Sequence, residues 1–297
     1  MPVPTVAEQV RAARESVLLV AEPDLAVLVV TGDDRAAWLN GLVTCDVAKL
    51  AEGNVAYGLM VTPKGRIVTD LYIDKRGDAL QVILPARVRD AVVETLDRHL
   101  VMEDAEMARD DSLRVWFAHG PKSVELGGQP CDRTGLGGVV IVAPDTEKDR
   151  LARHVESLGG LIGDAQGWDA LRLERGVPAF GVDFDDKTYP QEASLEKRAV
   201  SFDKGCYLGQ EVVCMLELRG HVKRKLVPFV IDDGGAVEAG ASVTDDAGAE
   251  IGKVSSATES PTLGRCVGLA MVKLAHAAPG ASLRAAGKKA HVVETPA

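Results

Sequence analysis

At 297 residues the chain exceeds one ordinary domain and should divide into two or three compact units, each with its own core. Hydrophobic residues at 46% and charged ones at 26% sit near the globular average, which excludes a disordered chain, and a net charge of -10 argues against a general nucleic-acid binder, whose phosphate contacts need a concentrated basic face. No apolar run is long enough for a transmembrane span. The opening MPVPTVAEQVRAARES carries Glu8, Arg11, Arg14 and Glu15 where a secretory signal needs unbroken apolar sequence, so a cytoplasmic protein is expected.

The first lobe is expected over residues 1–109. DLAVLVVTG reads as a buried strand, after which Gly32 and Asp33 open a helix with Trp38, Leu39, Leu42 and Val43 on one side. NVAYGLMV and RIVTDLYID form a hairpin through Thr62, Pro63, Lys64 and Gly65, with Pro and Gly at the second and fourth positions of a type I turn. DALQVIL adds a strand, and Pro85 starts a helix in which Val88, Val92, Leu96 and Leu100 make one stripe. A second lobe, 110–224, repeats the mixture with strands LRVWFAH and GVVIVAP, a helix from Thr146 that Gly159 can end, and a further helix GWDALRLERG. An irregular stretch, FGVDFDDKTYPQEASLEKRAVSF, then leads to KGCYLGQE. From 225 to 297, short apolar strands separated by Gly and Asp turns predict a small β-barrel docked tightly on the rest. The fold class is α+β.

Five cysteines at 45, 131, 206, 214 and 266 are an odd, scattered set, which favours reduced thiols over a disulfide framework; no CxxC or HExxH occurs, and no metal site is expected. Six histidines, at 99, 119, 154, 221, 276 and 291, show no consistent pairing with an acid or nucleophile, so no hydrolase triad can be argued. Neither a GxGxxG fingerprint nor a P-loop is present, and GLGG at 135–138 reads as a turn.

The chemistry concentrates at Lys204 to Glu211. Two glycines flank Cys206, and Lys204 favours its thiolate if the ammonium lies near the sulfur; a buried packing cysteine is the plain alternative. Gln210 and Glu211 orient either a polar ligand or the thiol, or form a solvated pair. The basic run RGHVKRK from Arg219 is either a solvated strand end or a rim for carboxylate or phosphate. Arg172 and Glu174 sit two apart on a helix and so face different ways, one free to pair within the fold while the other meets a ligand; a buried glutamate suits a ring bearing an amino group beside an N–H. Asp70, ending VTD, is an isolated carboxylate of the kind more often found at a turn or edge.

Together LRLERGVPAFGVDF, YPQEASLE, SFDKGCYLGQEVV and RGHVKRKL closely resemble the YgfZ-type folate-binding proteins, relatives of the glycine cleavage T protein, and the likeness extends to GDDRAAWLNGLVTCDV, YGLMVTPKGRIVTDLYID and IGKVSSATESPTLGRCVGLAMV. That resemblance implies a three-lobed T-protein-like fold holding tetrahydrofolate or a one-carbon derivative near its centre. It also implies a monomer that supports maturation or repair of iron-sulfur client enzymes, with indirect effects on tRNA modification. By motif, Arg172 and Glu174 become folate contacts, Lys204, Cys206, Tyr207, Gln210 and Glu211 the signature site, and Arg219 with its basic run a partner for the glutamyl tail. Cys206 and the folate are then expected side by side. Transferase relatives usually show paired acids where this chain has Thr69 and Asp70, and relatives with the cysteine motif commonly have arginine where it has Met215. The competing activity is aminomethyl transfer to tetrahydrofolate with Asp70 as acid or base. An RNA-binding module rests on RGHVKRK alone.

Overall fold

The computed structural model describes residues 3–220 and 222–297, so His221 of the basic run lies outside the described residues. Helix α1 (Val6–Glu15) and strand β1 (Leu18–Ala21) come first, then β2 (Leu25–Thr31), α2 (Arg35–Asn40), the hairpin β3 (Val55–Val61) and β4 (Ile67–Arg76), β5 (Ala79–Pro85), α3 (Arg89–Asp97) and β6 (Glu106–Arg109). Next are β7 (Leu113–His119), β8 (Gln129–Pro130), β9 (Gly138–Pro144), α4 (Lys148–Ser157), β10 (Leu161–Gly163) and α5 (Ala165–Glu174). A long irregular stretch holding α6 (Glu196–Ala199) leads to α7 (Gln210–Arg219). Six strands follow: β11 (Arg224–Ile231), β12 (Ser242–Thr244), β13 (Glu250–Ser260), β14 (Arg265–Lys273), β15 (Ser282–Ala285) and β16 (Lys288–Val292).

These strands make two five-stranded sheets, ordered β3-β4-β5-β2-β6 and β10-β1-β7-β9-β8, and a closed barrel ordered β11-β14-β13-β12-β15-β16. The hairpin turns as its sequence requires, with the Gly65 amide donating to the Thr62 carbonyl at 2.8 Å and Gly65 at φ +73°. Both sheets repeat one local order, in which a strand ends at Pro85 or Pro144, a single 3-10 turn follows, and helix α3 or α4 packs back. Val92 and Leu96 are the buried positions of α3, with Val88 and Leu100 partly buried against the same core; a fully buried aliphatic side chain contributes about 1.5–3 kcal/mol.

The N-terminal segment departs from the expected boundary. β1 pairs antiparallel with β7 and parallel with β10, and α1 lies against α5, so residues 6–21 belong to the second sheet and the first lobe does not begin at residue 1. LLVA is short and uniformly apolar, a pattern that any sheet interior accepts.

The two sheets meet through Val27 and Ile83 on one side and Val115, Phe117, Val140 and Val142 on the other. The barrel is held to α5 by Leu173 packing on Leu226, Val230, Val267 and Leu269. Among the described residues no helix is long and apolar enough to cross a membrane.

Candidate functional site

The cysteine motif occupies the loop before α7, laid across the first lobe. The Leu208 amide donates to the Gly41 carbonyl, and the Ser201 amide to that of Thr44. Gly209 takes φ +80°, and a Cβ there would stand 2.4 Å from the Thr62 carbonyl oxygen, so the motif's second glycine is required by close approach to the β3–β4 turn. Lys204 is buried, and its ammonium donates to the carbonyls of Asn40, Val43 and Cys45 at 2.6, 2.8 and 2.6 Å. Burial pulls its pKa down to about 8, but its three protons are committed to the loop after α2 and none is directed to a thiol. The expected activation of Cys206 by Lys204 is therefore replaced by a structural role.

Cys206 itself is exposed. Tyr207 is buried among Leu59, Val61, Ile67, Leu195 and Val213, and its ring lies 5.2 Å from the Lys204 ammonium, so it belongs to the core under the loop. Gln210 starts α7, Glu211 is exposed in its first turn, and Arg219 is exposed at its end. Within the basic run, Arg224 donates to Glu192 and Lys225 to Glu196, while Arg219, Lys223 and Arg224 are exposed to solvent.

Arg172 and Glu174 are both committed inside the fold, contrary to the ligand contacts expected of them. The Arg172 guanidinium donates to Asp169 and to Asp183 at 2.8 Å, and Asp183 also accepts from the Ser255 and Ser256 hydroxyls of β13. The fully buried Glu174 carboxylate accepts from Arg14 at 2.8 Å, from the Ser260 hydroxyl, and from the amide and hydroxyl of Thr262 at 2.9 and 2.8 Å. Burial alone would raise its pKa, but these bonds outweigh it and hold the carboxyl below the usual value. Both residues brace α5 against the barrel.

The concave site lies elsewhere, between the sheets. Two adjoining cavities of about 520 and 270 Å³ share Tyr72, Arg133 and Pro178. Asp70 lines the larger one and accepts a hydrogen bond from the Tyr57 hydroxyl at 3.0 Å. Burial pushes the Asp70 carboxyl above its usual range, against the opposing pull of that hydroxyl and of Arg133. Tyr57 and Tyr72 pack tilted at 38° with 4.9 Å between ring centres, and Tyr72 reaches Phe117 at 5.2 Å. The Arg133 guanidinium sits 4.1 Å from the Trp168 ring and 4.3 Å from that of Phe117, donates to Glu22 at 2.8 Å, and keeps a buried Nε without a hydrogen-bond partner among the described residues. His119 stacks on Trp168 at 4.6 Å; burial holds it neutral, with both ring nitrogens unpartnered among the described residues. Arg87, Arg198, Cys131 and the acids Glu22, Asp24 and Asp132 also line the two cavities, and burial pushes the Cys131 thiol up to about 12, so it is un-ionised. Cys206, Lys204, Tyr207, Gln210, Glu211 and Arg219 are not among the lining residues, so the thiol and this cavity are not the adjacent pair expected.

The GCVT N-terminal domain matches residues 3–134, and the glycine cleavage T-protein C-terminal barrel domain matches residues 224–297. The chain belongs to the glycine cleavage T-protein superfamily. Relatives of two names are among those it resembles. It is 28% identical over 271 residues to the aminomethyltransferase of Rubrobacter xylanophilus (81% of this chain, 72% of the relative). To the tRNA-modifying protein YgfZ of Enterobacter sp. it is 27% identical over 243 residues (74% and 73%). The crystal structure of the glycine cleavage system aminomethyltransferase T from Bartonella henselae superposes with a TM-score of 0.86 at 19% identity, covering 98% of this chain and 89% of that one, which establishes the fold. The T-protein fold with its C-terminal barrel is thus the one expected. The N-terminal match runs past residue 109 as far as Thr134, in keeping with the crossing of β1 into the second sheet.

Of the cavity residues in this T-protein fold, the sequence reading named Asp70 alone. Arg133 stands in PCDRTG, a turn in which the Asp132 carboxylate accepts from the amides of Thr134, Gly135 and Gly137. A lone arginine on a turn held that tightly was the available signal, but its aromatic neighbours come from β7 and α5 and are not readable from spacing.

Proposed function

We propose that the cavity between the sheets binds tetrahydrofolate or a one-carbon derivative, and that the chain is a folate-binding accessory protein supporting maturation or repair of iron-sulfur enzymes, with an indirect effect on tRNA modification. The observation that carries the binding reading is the space between the sheets lined by Tyr57, Tyr72, Trp168 and Phe180 together with Asp70 and Arg133. A flat heterocycle fits between aromatic walls, its ring N–H groups suit Asp70, and a ring carbonyl or carboxylate suits the guanidinium. Tetrahydrofolate, when bound, supplies a carrier for a one-carbon unit.

The accessory role is supported by the complete KGCYLGQE motif and by the exposure of its thiol, which is open to another protein. Cys206→Ala should leave folate titration unchanged and lower the activity of iron-sulfur enzymes in the cell. Normal activity of those enzymes would remove the thiol from the function.

Aminomethyl transfer is the second reading, and the Asp70–Tyr57 pair favours it. A buried carboxyl whose pKa burial raises, hydrogen-bonded to a tyrosine hydroxyl, is suited to accept and return a proton. This reading requires turnover with an aminomethyl-lipoyl carrier that Asp70→Asn reduces at least 100-fold, the scale of a lost acid-base group. Absence of turnover disposes of it.

A further inference from the structure

We infer that the loop Ala179–Phe184 is a lid on the larger of the two central cavities and that Arg87 is its latch. The lid is argued from the protein alone, and only its kinetic test rests on the folate reading. Arg87 stands exposed on the 3-10 turn after β5, and Phe180 meets it from the stretch after α5; both line that cavity. The guanidinium sits 4.7 Å from the centre of the Phe180 ring and donates to the Phe180 carbonyl at 3.1 Å. One solvent-exposed side chain thus crosses from the first lobe to the loop.

The base of the loop is fixed. The buried Asp183 carboxylate accepts the Ala179 amide at 2.9 Å, the Arg172 guanidinium and the Ser255 and Ser256 hydroxyls, and the Asp183 amide returns a bond to the Ala179 carbonyl at 2.9 Å. Phe184 anchors the far end in the core cluster of Leu195 and Tyr207. The tip is held differently. Phe180 rests on Phe184 at 5.6 Å between ring centres, a contact within the loop itself, and Val182 is exposed. Among the described residues the loop has one hydrogen bond to the first lobe, and Arg87 makes it. Gly181 takes φ +82°, and a Cβ there would stand 2.7 Å from the guanidinium carbon, so the latch closes over bare backbone. A braced base, a positive-φ glycine and a single exposed tie at the tip are the parts of a segment that opens without unfolding its surroundings.

The test uses the full chain with Arg87→Ala, Phe180→Leu and, as a control, Arg89→Ala, the neighbouring arginine that pairs with Asp111 outside the cavity. The first readout needs no ligand: acrylamide quenching of Trp168, which lines the same cavity, taken as the part of the emission lost in Trp168→Phe. Quenching should rise at least twofold in Arg87→Ala and in Phe180→Leu and keep its wild-type value in Arg89→Ala. The second is stopped-flow binding of tetrahydrofolate. Its entry and release rates should both rise about fivefold in Arg87→Ala with the affinity within about a factor of two, because a latch bars passage in both directions; fivefold is about 1 kcal/mol, the scale of an exposed cation–π contact. Wild-type quenching in Arg87→Ala, or faster release without faster entry, which marks a lost ligand contact, overturns the lid. Raised quenching with no tetrahydrofolate bound by any form of the chain overturns the folate reading and leaves the lid standing.

Discussion

A side chain's bonds decide what it is free to do, and Glu174 and Asp70 are opposite cases. Four hydrogen bonds, one of them from a guanidinium, occupy Glu174, so Glu174→Ala should cost about 3 kcal/mol, the scale of a broken buried ion pair, measured as a shift in the urea midpoint. Its folded pKa lies below the ordinary 4.5, so its stabilisation is complete above that value and is lost as pH falls through the lower folded pKa. Glu174→Gln should therefore flatten the decline of stability below pH 4.5, and an unchanged acid profile would refute the brace. Asp70 has the reverse sign. Its folded pKa is raised above 3.8 by burial, so stability is greatest when it is protonated and falls as pH rises through the interval up to the folded value. At pH 7, Asp70→Asn should raise Tm while weakening folate binding, the exchange of stability for function typical of a site. A lower Tm in that variant would contradict the assignment.

At the scale of elements, the loop of the cysteine motif acts as a clamp on the segment after α2. Lys204 ties the carbonyls of residues 40, 43 and 45, and Thr44 between them accepts the Leu59 amide at 2.8 Å on its hydroxyl. Lys204→Met should destabilise by about 3 kcal/mol, roughly one for each lost hydrogen bond, and should deprotect the Leu59 amide in hydrogen exchange. Unchanged protection would return Lys204 to a chemical role. The sequence made some of these elements plain and hid others. The β3–β4 hairpin was readable because alternation and a Pro-x-Gly turn are local, and the six barrel strands because Gly and Asp mark their ends. β1 was hidden because four apolar residues carry no record of which sheet they join. Arg172 and Glu174 were placed correctly on a helix, but helical spacing reports the face a residue occupies and not what packs there; Ser260 and Thr262, nearly ninety residues on, turned that face into a brace.

On the scale of the whole molecule, the two sheets, α5 and the stretch after it line a polar, aromatic space that no single segment contains. β4 brings Asp70, the turn before β9 brings Arg133, α5 brings Trp168, and the stretch after α5 brings Pro178 and Phe180. The cysteine motif lies outside it, on the first lobe. Cavity and thiol therefore lie apart, and the one measurement that tests the proposed division most directly is calorimetric titration of tetrahydrofolate into the wild-type chain, Arg133→Met and Cys206→Ala. The account predicts one site in the wild type, at least tenfold weaker binding in Arg133→Met, and unchanged binding in Cys206→Ala. Loss of binding in Cys206→Ala with full binding in Arg133→Met would contradict it.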